Sequence, residues 1–332
     1  MTADGAVLVT GGAGYVGSHV VWALVEAGYR IVVLDDLSTG FRDAVAAEAQ
    51  FVEGDLGDCD LLHELIAEHA VTAVVHLAAS VVVSESVAKP LTYYENNTVK
   101  SRDLLAACLE DGVNAFVFSS TAAVYGAPVS QPVTEDAPTL PINPYGRSKL
   151  MIEWMLEDVA ASSDLRYIAL RYFNVAGADP AGRIGQRTPR ATHLIKVASE
   201  TVVGLRDHID IFGEDYPTSD GTCVRDYIHV SDIASAHLAA LSHLDGGGQC
   251  LTLNCGYGHG YSVREVLASV ERAAGCRLDI RSAPRRVGDP PELVAATSRI
   301  AEKLGWHPEH DDLDVIVQSA IDWEKKLATK VE

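Results

Sequence analysis

The sequence predicts an α/β protein: a doubly wound parallel sheet in the first half, followed by a smaller C-terminal α/β substrate domain. Three observations lead there. Short, continuously apolar runs alternate with helical stretches over the first 175 residues. Strands buried on both faces have this character, and helices covering both sides of a parallel sheet bury them so. A glycine-rich turn follows the first run directly, and beyond residue 175 loops rich in Gly and Pro become denser.

The elements follow in order. "AVLVT" (6–10) is the first strand, and a helical pattern runs from the glycine turn through Ala27. "IVVLD" (31–35) and the short "FVEGD" (51–55) are the next strands. A helix over 60–69 leads to "AVVHLA" (73–78), and a longer helix near 91–110 leads to "AFVFSS" (115–120). A helix beginning near Tyr145 leads to "YIALRYF" (167–173). Right-handed crossovers make such a sheet doubly wound. The expected domains are 1–175 and 176–332, with the helical stretch 229–241 returning to pack on the first.

The 332 residues suffice for one large or two modest domains, and 48% are hydrophobic, as in a globular chain. No apolar run reaches membrane-spanning length, and the opening "MTADGAVLVTGG" lacks a basic signal region, so a soluble cytoplasmic protein is expected. The six cysteines (59, 108, 223, 250, 255 and 276) form no C-x-x-C pair and complete no metal pattern; no metal is expected. A formal charge of −20 argues against a nucleic-acid partner.

"VTGGAGYVGSH" (9–19) joins the first strand to the first helix. Gly12, Gly14 and Gly17 satisfy G-x-G-x-x-G, and Gly11, Gly14 and Gly17 satisfy G-x-x-G-x-x-G. Glycines let backbone amides approach a pyrophosphate, with the helix N-terminus facing its charge. The sheet is therefore expected to be a Rossmann sheet that binds a dinucleotide. Asp35 ends the second strand, where a carboxylate accepts both ribose hydroxyls and repels a 2′-phosphate; with Asp36 beside it, NAD is favoured over NADP. Asp55 could meet the adenine edge, though a plain turn residue would look the same.

"PYGRSK" (144–149) places Tyr145 and Lys149 four apart, hence on one helix face. A neighbouring ammonium favours phenolate, so the pair has the makings of a tuned base, though two surface residues at a helix start share the spacing.

With "FSSTAAVYG" (118–126) added, the chain resembles the extended short-chain dehydrogenase/reductase family. The likeness runs over nearly the whole length: "VVLDDLSTG", "YYENN", "NPYGRSKLMIE", "LRYFNVAGADP", "DIFGEDYPTSDGTCVRDYIHV" and "APRRVGDPPELVAA" fall in family order, in the manner of the UDP-hexose 4-epimerases. The resemblance implies that Tyr145 is the base, Lys149 its partner and a nicotinamide-ribose ligand, and Thr121 a hydrogen-bond partner of the sugar 4-oxygen. It carries Gly11, Gly14, Tyr15, Val16, Gly17, Asp35, Asp36, Asp55, Leu56, Leu77, Ala78, Ala79, Asn96 and Tyr172 over as cofactor contacts. It carries Asn174, His193, Phe212, Arg225, Arg286, Asp289 and Leu293 over as contacts of the UDP-sugar. Forked arginines suit a diphosphate, although each could also be a surface ion pair. Val81 stands where many relatives have a cofactor-holding lysine, His193 where an asparagine is common, and Leu293 where a tyrosine closes the pocket beside the sugar. Leu293 could instead be core packing.

The activity implied is NAD-dependent interconversion of UDP-glucose and UDP-galactose through a transient 4-keto sugar. Tyr145 as phenolate takes the 4-hydroxyl proton, with Lys149 and the positive nicotinamide lowering its pKa. Two alternatives stay open: 4-epimerisation of UDP-N-acetylglucosamine or a UDP-pentose, and dehydration. Ala122 and Ala123 weigh against dehydration, because dehydratases typically carry acidic residues directly after the Ser/Thr. A homodimer is expected from the resemblance, with 91–110 and 145–161 as candidate helices.

Overall fold

The computed structural model describes residues 5–188, 191–286 and 288–329. Strands β1 (Ala6–Thr10), β2 (Arg30–Asp35), β3 (Gln50–Glu53), β4 (Val71–His76), β5 (Ala115–Thr121) and β6 (Arg166–Tyr172) form the expected parallel sheet. After β7 (Asn174–Ala176), β8 (Ile209–Phe212), β9 (Val224–Arg225) and β10 (Tyr227–His229), the chain returns to it. β11 (Leu251–Cys255) pairs with β6, giving seven strands in the order β11-β6-β5-β4-β1-β2-β3.

Both faces are sealed. Tyr15–Glu26 and Val230–Asp245 cover one, with Val20, Leu24, Ile233 and Leu241 in its core. Cys59–His69, Lys100–Glu110 and Pro144–Ser162 cover the other, with Leu62, Leu104, Ile152 and Leu156. At ~25 cal/mol per Å2 of buried apolar surface, these two layers dominate the fold's stabilisation. Apart from Arg30, every residue of β1 and β2 is buried, which explains their unbroken apolar runs.

Two expectations are corrected. The helix expected near 91–110 is three pieces: Pro90–Tyr93, a wide π turn Tyr94–Val99, and Lys100–Glu110. The π turn sets Asn97 into a buried network: it accepts from Ser80 N (2.8 Å) and donates to Ser80 O and Ser148 Oγ (both 3.0 Å). Those side-chain bonds favour the extra residue per turn, a common device near functional sites. β3 ends at Glu53, so Asp55 lies in a turn, accepting from Gly57 N (2.7 Å) and Lys100 Nζ (2.7 Å).

The remaining elements gather at the C-terminal ends of the strands. Leu194–Val202, Val263–Ala274 and Leu313–Thr329 pack around Ile195, Val266, Ile316 and Ile321. β12 (Tyr261–Ser262), β13 (Ile280–Ala283) and β14 (Glu292–Leu293) pair in small sheets with β9 and β8. The 177–188 loop straps back across the first layer. Gly177 O accepts from Tyr15 Oη (2.6 Å), and Arg183 lies over the Trp22 ring and pairs with Glu26.

Candidate active site

The cradle comes first. Gly11 has φ +74°, and a Cβ there would lie 2.6 Å from the Ala78 amide nitrogen. A Cβ on Gly17 would lie 2.0 Å from Gly11 O. Only glycine permits this turn to fold so tightly onto the segment after β4, where Leu77 N donates to Thr10 O (3.0 Å). The Tyr15–Glu26 helix starts at Gly14 without a side-chain cap, leaving backbone donors for an anion. Asp35 is buried, accepting from Ala13 N and Leu37 N (both 2.9 Å). Each of its oxygens keeps a lone pair, enough for a ribose diol. Burial raises its pKa, against the pull of the two amides. Asp36 caps its own turn, accepting from Ser38 N (2.9 Å). Val16 and Leu77 pack on one core layer, Leu56 and Ala78 on the other; Ala79 is half-buried. These groups fit a dinucleotide.

Next stand the proton-moving groups. Asn143 caps the Pro144–Ser162 helix, its Oδ1 accepting from Gly146 N (2.8 Å), with Pro144 in the first turn. That start fixes Tyr145, Lys149 and Glu153 on one face, each four residues on. Tyr145 is buried, and the Thr121 hydroxyl at the end of β5 favours its phenolate. Lys149 Nζ donates to Ser119 O (2.9 Å) and lies 4.9 Å from the Phe118 ring centroid. Asn96 Nδ2 donates to Ser80 Oγ (3.0 Å).

In the protein chain itself the Tyr145 pKa is raised, because burial outweighs the Thr121 hydrogen bond. The Lys149 ammonium, itself pulled down to about 7 by burial, gives one of its three N–H donors to the Ser119 carbonyl.

The second-half residues converge in part. Arg286 stacks on Phe212, its guanidinium carbon 3.8 Å from the ring centroid. Arg225 lies 3.8 Å from Asp289 and stands opposite Leu293 in the β9–β14 register. Asn174 and His193 line one cavity with Gln186, Lys196, Trp323 and Glu324. His193 is exposed, and Gln186 Nε2 lies 2.9 Å from its Nδ1. Leu293 is 9% exposed, packed with Ala122, Val124, Tyr125, Leu150 and Phe173 behind the Thr121 turn. Val81 is exposed.

Sequence reasoning passes over Ser119, Glu153, Arg171 and His237. Glu153 has a readable signal, the third step of the Tyr145, Lys149 series. The others signal nothing locally, because their partners lie on other elements.

A family model described as "NAD dependent epimerase/dehydratase family" matches residues 7–256. A UDP-glucose 4-epimerase from Azospirillum brasilense is 60% identical, over 98% of this chain and 93% of its own. A Brucella ovis UDP-glucose 4-epimerase solved in complex with NAD is 46% identical, with TM-score 0.93 over 96% of this chain and 98% of its own. A UDP-Glc/GlcNAc 4-epimerase from Campylobacter jejuni is 47% identical, with TM-score 0.85 over 97% and 99%. The glycine cradle, the Tyr145 helix and these full-length likenesses agree: the chain belongs to the NAD-dependent epimerase/dehydratase family.

Proposed function

We propose that the protein interconverts UDP-glucose and UDP-galactose by inverting C4 through a transient 4-keto sugar. One observation carries this reading: Tyr145 and Lys149 lie one turn apart on a single helix face, with the Thr121 hydroxyl placed to favour the Tyr145 phenolate. Tyr145 moves the 4-hydroxyl proton, and Thr121 holds the oxygen. NAD, when bound, takes and returns the C4 hydrogen with its electron pair, and its positive ring supplies the charge that favours phenolate. Asp35, with the Gly14–Tyr15 helix start, holds the dinucleotide. Arg225, Arg286 and Phe212, with Asn174, His193 and Asp289, hold the UDP portion, so the sugar is free to turn over between its two faces. Ala122 and Ala123, which follow Thr121, cannot transfer protons, which disfavours dehydration. UDP-N-acetylhexosamines remain a second substrate reading, favoured by the Campylobacter relative's name. A coupled assay over UDP-hexoses, UDP-pentoses and UDP-N-acetylhexosamines without added NADH tests both; no turnover of UDP-galactose would overturn the main reading.

Two results are expected from the binding residues. Arg225→Ala and Arg286→Ala should each weaken UDP binding by about 1.5–3 kcal/mol, the worth of a hydrogen bond to a charged group. Calorimetric titration showing no loss for a variant removes that arginine from the site. Asp35→Ala should relax the preference for NAD over NADP, since the carboxylate that repels a 2′-phosphate is gone. Stripped protein is reconstituted with each cofactor; equal rescue of the unmutated protein counts against it.

The assembly proposed is a homodimer in the cytoplasm. Among the described residues no helix is long and apolar enough to cross a membrane. Val87, Leu91 and Trp154 are exposed on contacting helices, Leu91 by 79% and Trp154 by 52%, which suits a second copy. Light scattering of Trp154→Glu should report monomer; an unchanged mass argues for another interface.

A further inference from the structure

A run of enclosed hydrogen bonds joins the end of β1, next to the glycine cradle, to the first turn of the Tyr145 helix. Thr10 Oγ1 lies 2.7 Å from His76 Nδ1. His76 Nε2 lies 2.7 Å from Ser101 Oγ. Ser101 Oγ donates to the backbone carbonyl of Asn97 in the π turn. From there the run continues through the Asn97 side chain. Its Nδ2 donates to Ser148 Oγ (3.0 Å), and Ser148 Oγ donates to the Tyr145 carbonyl (2.8 Å). Thr10, Asn97, Ser101 and Ser148 are 0% exposed and His76 1%, so water cannot replace a lost link.

The carbonyls fix the direction of every link. A carbonyl only accepts, so Ser101 gives its one hydroxyl proton to Asn97. The proton between Ser101 and His76 therefore sits on Nε2. Burial, with the Lys149 charge nearby, keeps the ring neutral, its pKa lowered to about 3. Nδ1 is then a bare acceptor, and Thr10 donates to it. Asn97 Oδ1 takes the Ser80 amide proton (2.8 Å), which leaves Nδ2 as the group facing Ser148. All the donors thus point one way, from the cradle strand toward the Tyr145 helix. The His76 ring also stacks on Phe118, with centroids 5.8 Å apart and planes at 21°, and Phe118 is the ring beside the Lys149 ammonium.

We propose that His76 is a positioning residue: as its Nε2–H tautomer it fastens the cradle strand to the π turn and so, through Asn97 and Ser148, sets where Tyr145 stands against the bound dinucleotide. The proposal rests on the epimerase reading of Tyr145. In that reading the proton and the hydrogen with its electron pair leave the same C4 centre, so the phenol and the dinucleotide must keep a fixed separation. A displacement of about 1 Å between reacting groups can cost on the order of 10²-fold in rate.

The test cuts the run at either side of His76 in full-length, NAD-loaded protein. Thr10→Val and Ser101→Ala should each lower kcat at least about tenfold, with UDP affinity unchanged. The C4-deuterium isotope effect on kcat should rise in both, because the step that needs the fixed separation has become slower. The double variant should lose no more than the worse single one, since a run broken once is already broken. Thr10→Ser, which keeps the hydroxyl, should retain kcat. Multiplied losses in the double variant, a loss of UDP affinity matching the loss of kcat, an unchanged isotope effect, or Thr10→Ser failing like Thr10→Val overturns the proposal. Ring 15N shifts of His76 in the unmutated protein need no variant. They should report a neutral Nε2–H tautomer between about pH 6 and 8, and an Nδ1–H or protonated ring overturns the proposal. Tyr145→Phe retaining turnover would instead overturn the epimerase reading, leaving the nitrogen result untouched.

Discussion

Tyr145→Phe is expected to lower kcat by at least about 10²–10⁴-fold, the usual worth of a positioned proton-transfer group, with UDP affinity nearly unchanged. The ring is 8% exposed and packs wherever the hydroxyl goes, so phenylalanine fills the same space. What is lost is the phenol oxygen, on the helix face shared with Lys149. Arg225, Arg286 and Phe212 lie on other elements and keep their own partners. The split between kcat and binding is therefore the diagnostic: the coupled UDP-galactose assay gives the first and calorimetry with UDP the second. Turnover within a few-fold of the unmutated protein would sink the assignment. Because burial raises the Tyr145 pKa in the protein chain itself, activity should also climb with pH through neutrality. More phenolate forms as pH rises, until the base is fully ionised.

The largest stability effect is expected at Glu153. Its carboxylate accepts from Arg171 Nε (3.0 Å) and from the Arg171 terminal nitrogen (2.6 Å), and also from Ser120 Oγ. Glu153 is 1% exposed and Arg171 6%. Arg171 also donates to Tyr125 Oη (2.9 Å), which donates to Asn254 Oδ1 (2.7 Å) on β11. One ion pair thus ties β5, β6, β11 and the Tyr145 helix together. Glu153→Ala strands a buried guanidinium and should cost about 3–5 kcal/mol, a large share of a typical ~5–15 kcal/mol. Replacing both partners with methionine should cost clearly less, since no charge is left unpaired. Urea midpoints at equal saturating cofactor, which holds linkage constant, measure both. A single variant losing no more than about 1 kcal/mol would show the pair to be dispensable.

The sequence by itself determined what is local or periodic. Runs buried on both faces gave away six of the seven sheet strands. The glycine turn declared the cradle, because tight approach of backbone needs glycine whatever surrounds it. The Tyr145–Lys149 spacing put both on one face, because helical pitch is independent of context. The motif order along the chain pointed to the family. Only the tertiary structure decided the rest. It added β11 beside β6 from 79 residues further on, and it broke the 91–110 helix with a π turn that Asn97 holds through Ser80 and Ser148. It buried Leu293 behind the Thr121 turn, and it paired Glu153 with Arg171 and Ser119 with His237. It also directed the Lys149 ammonium to the Ser119 carbonyl and buried the Tyr145 phenol. The physical reason is the same in each case: desolvation and hydrogen-bond direction depend on every group that encloses a side chain, and those groups come from strands and helices distant in sequence.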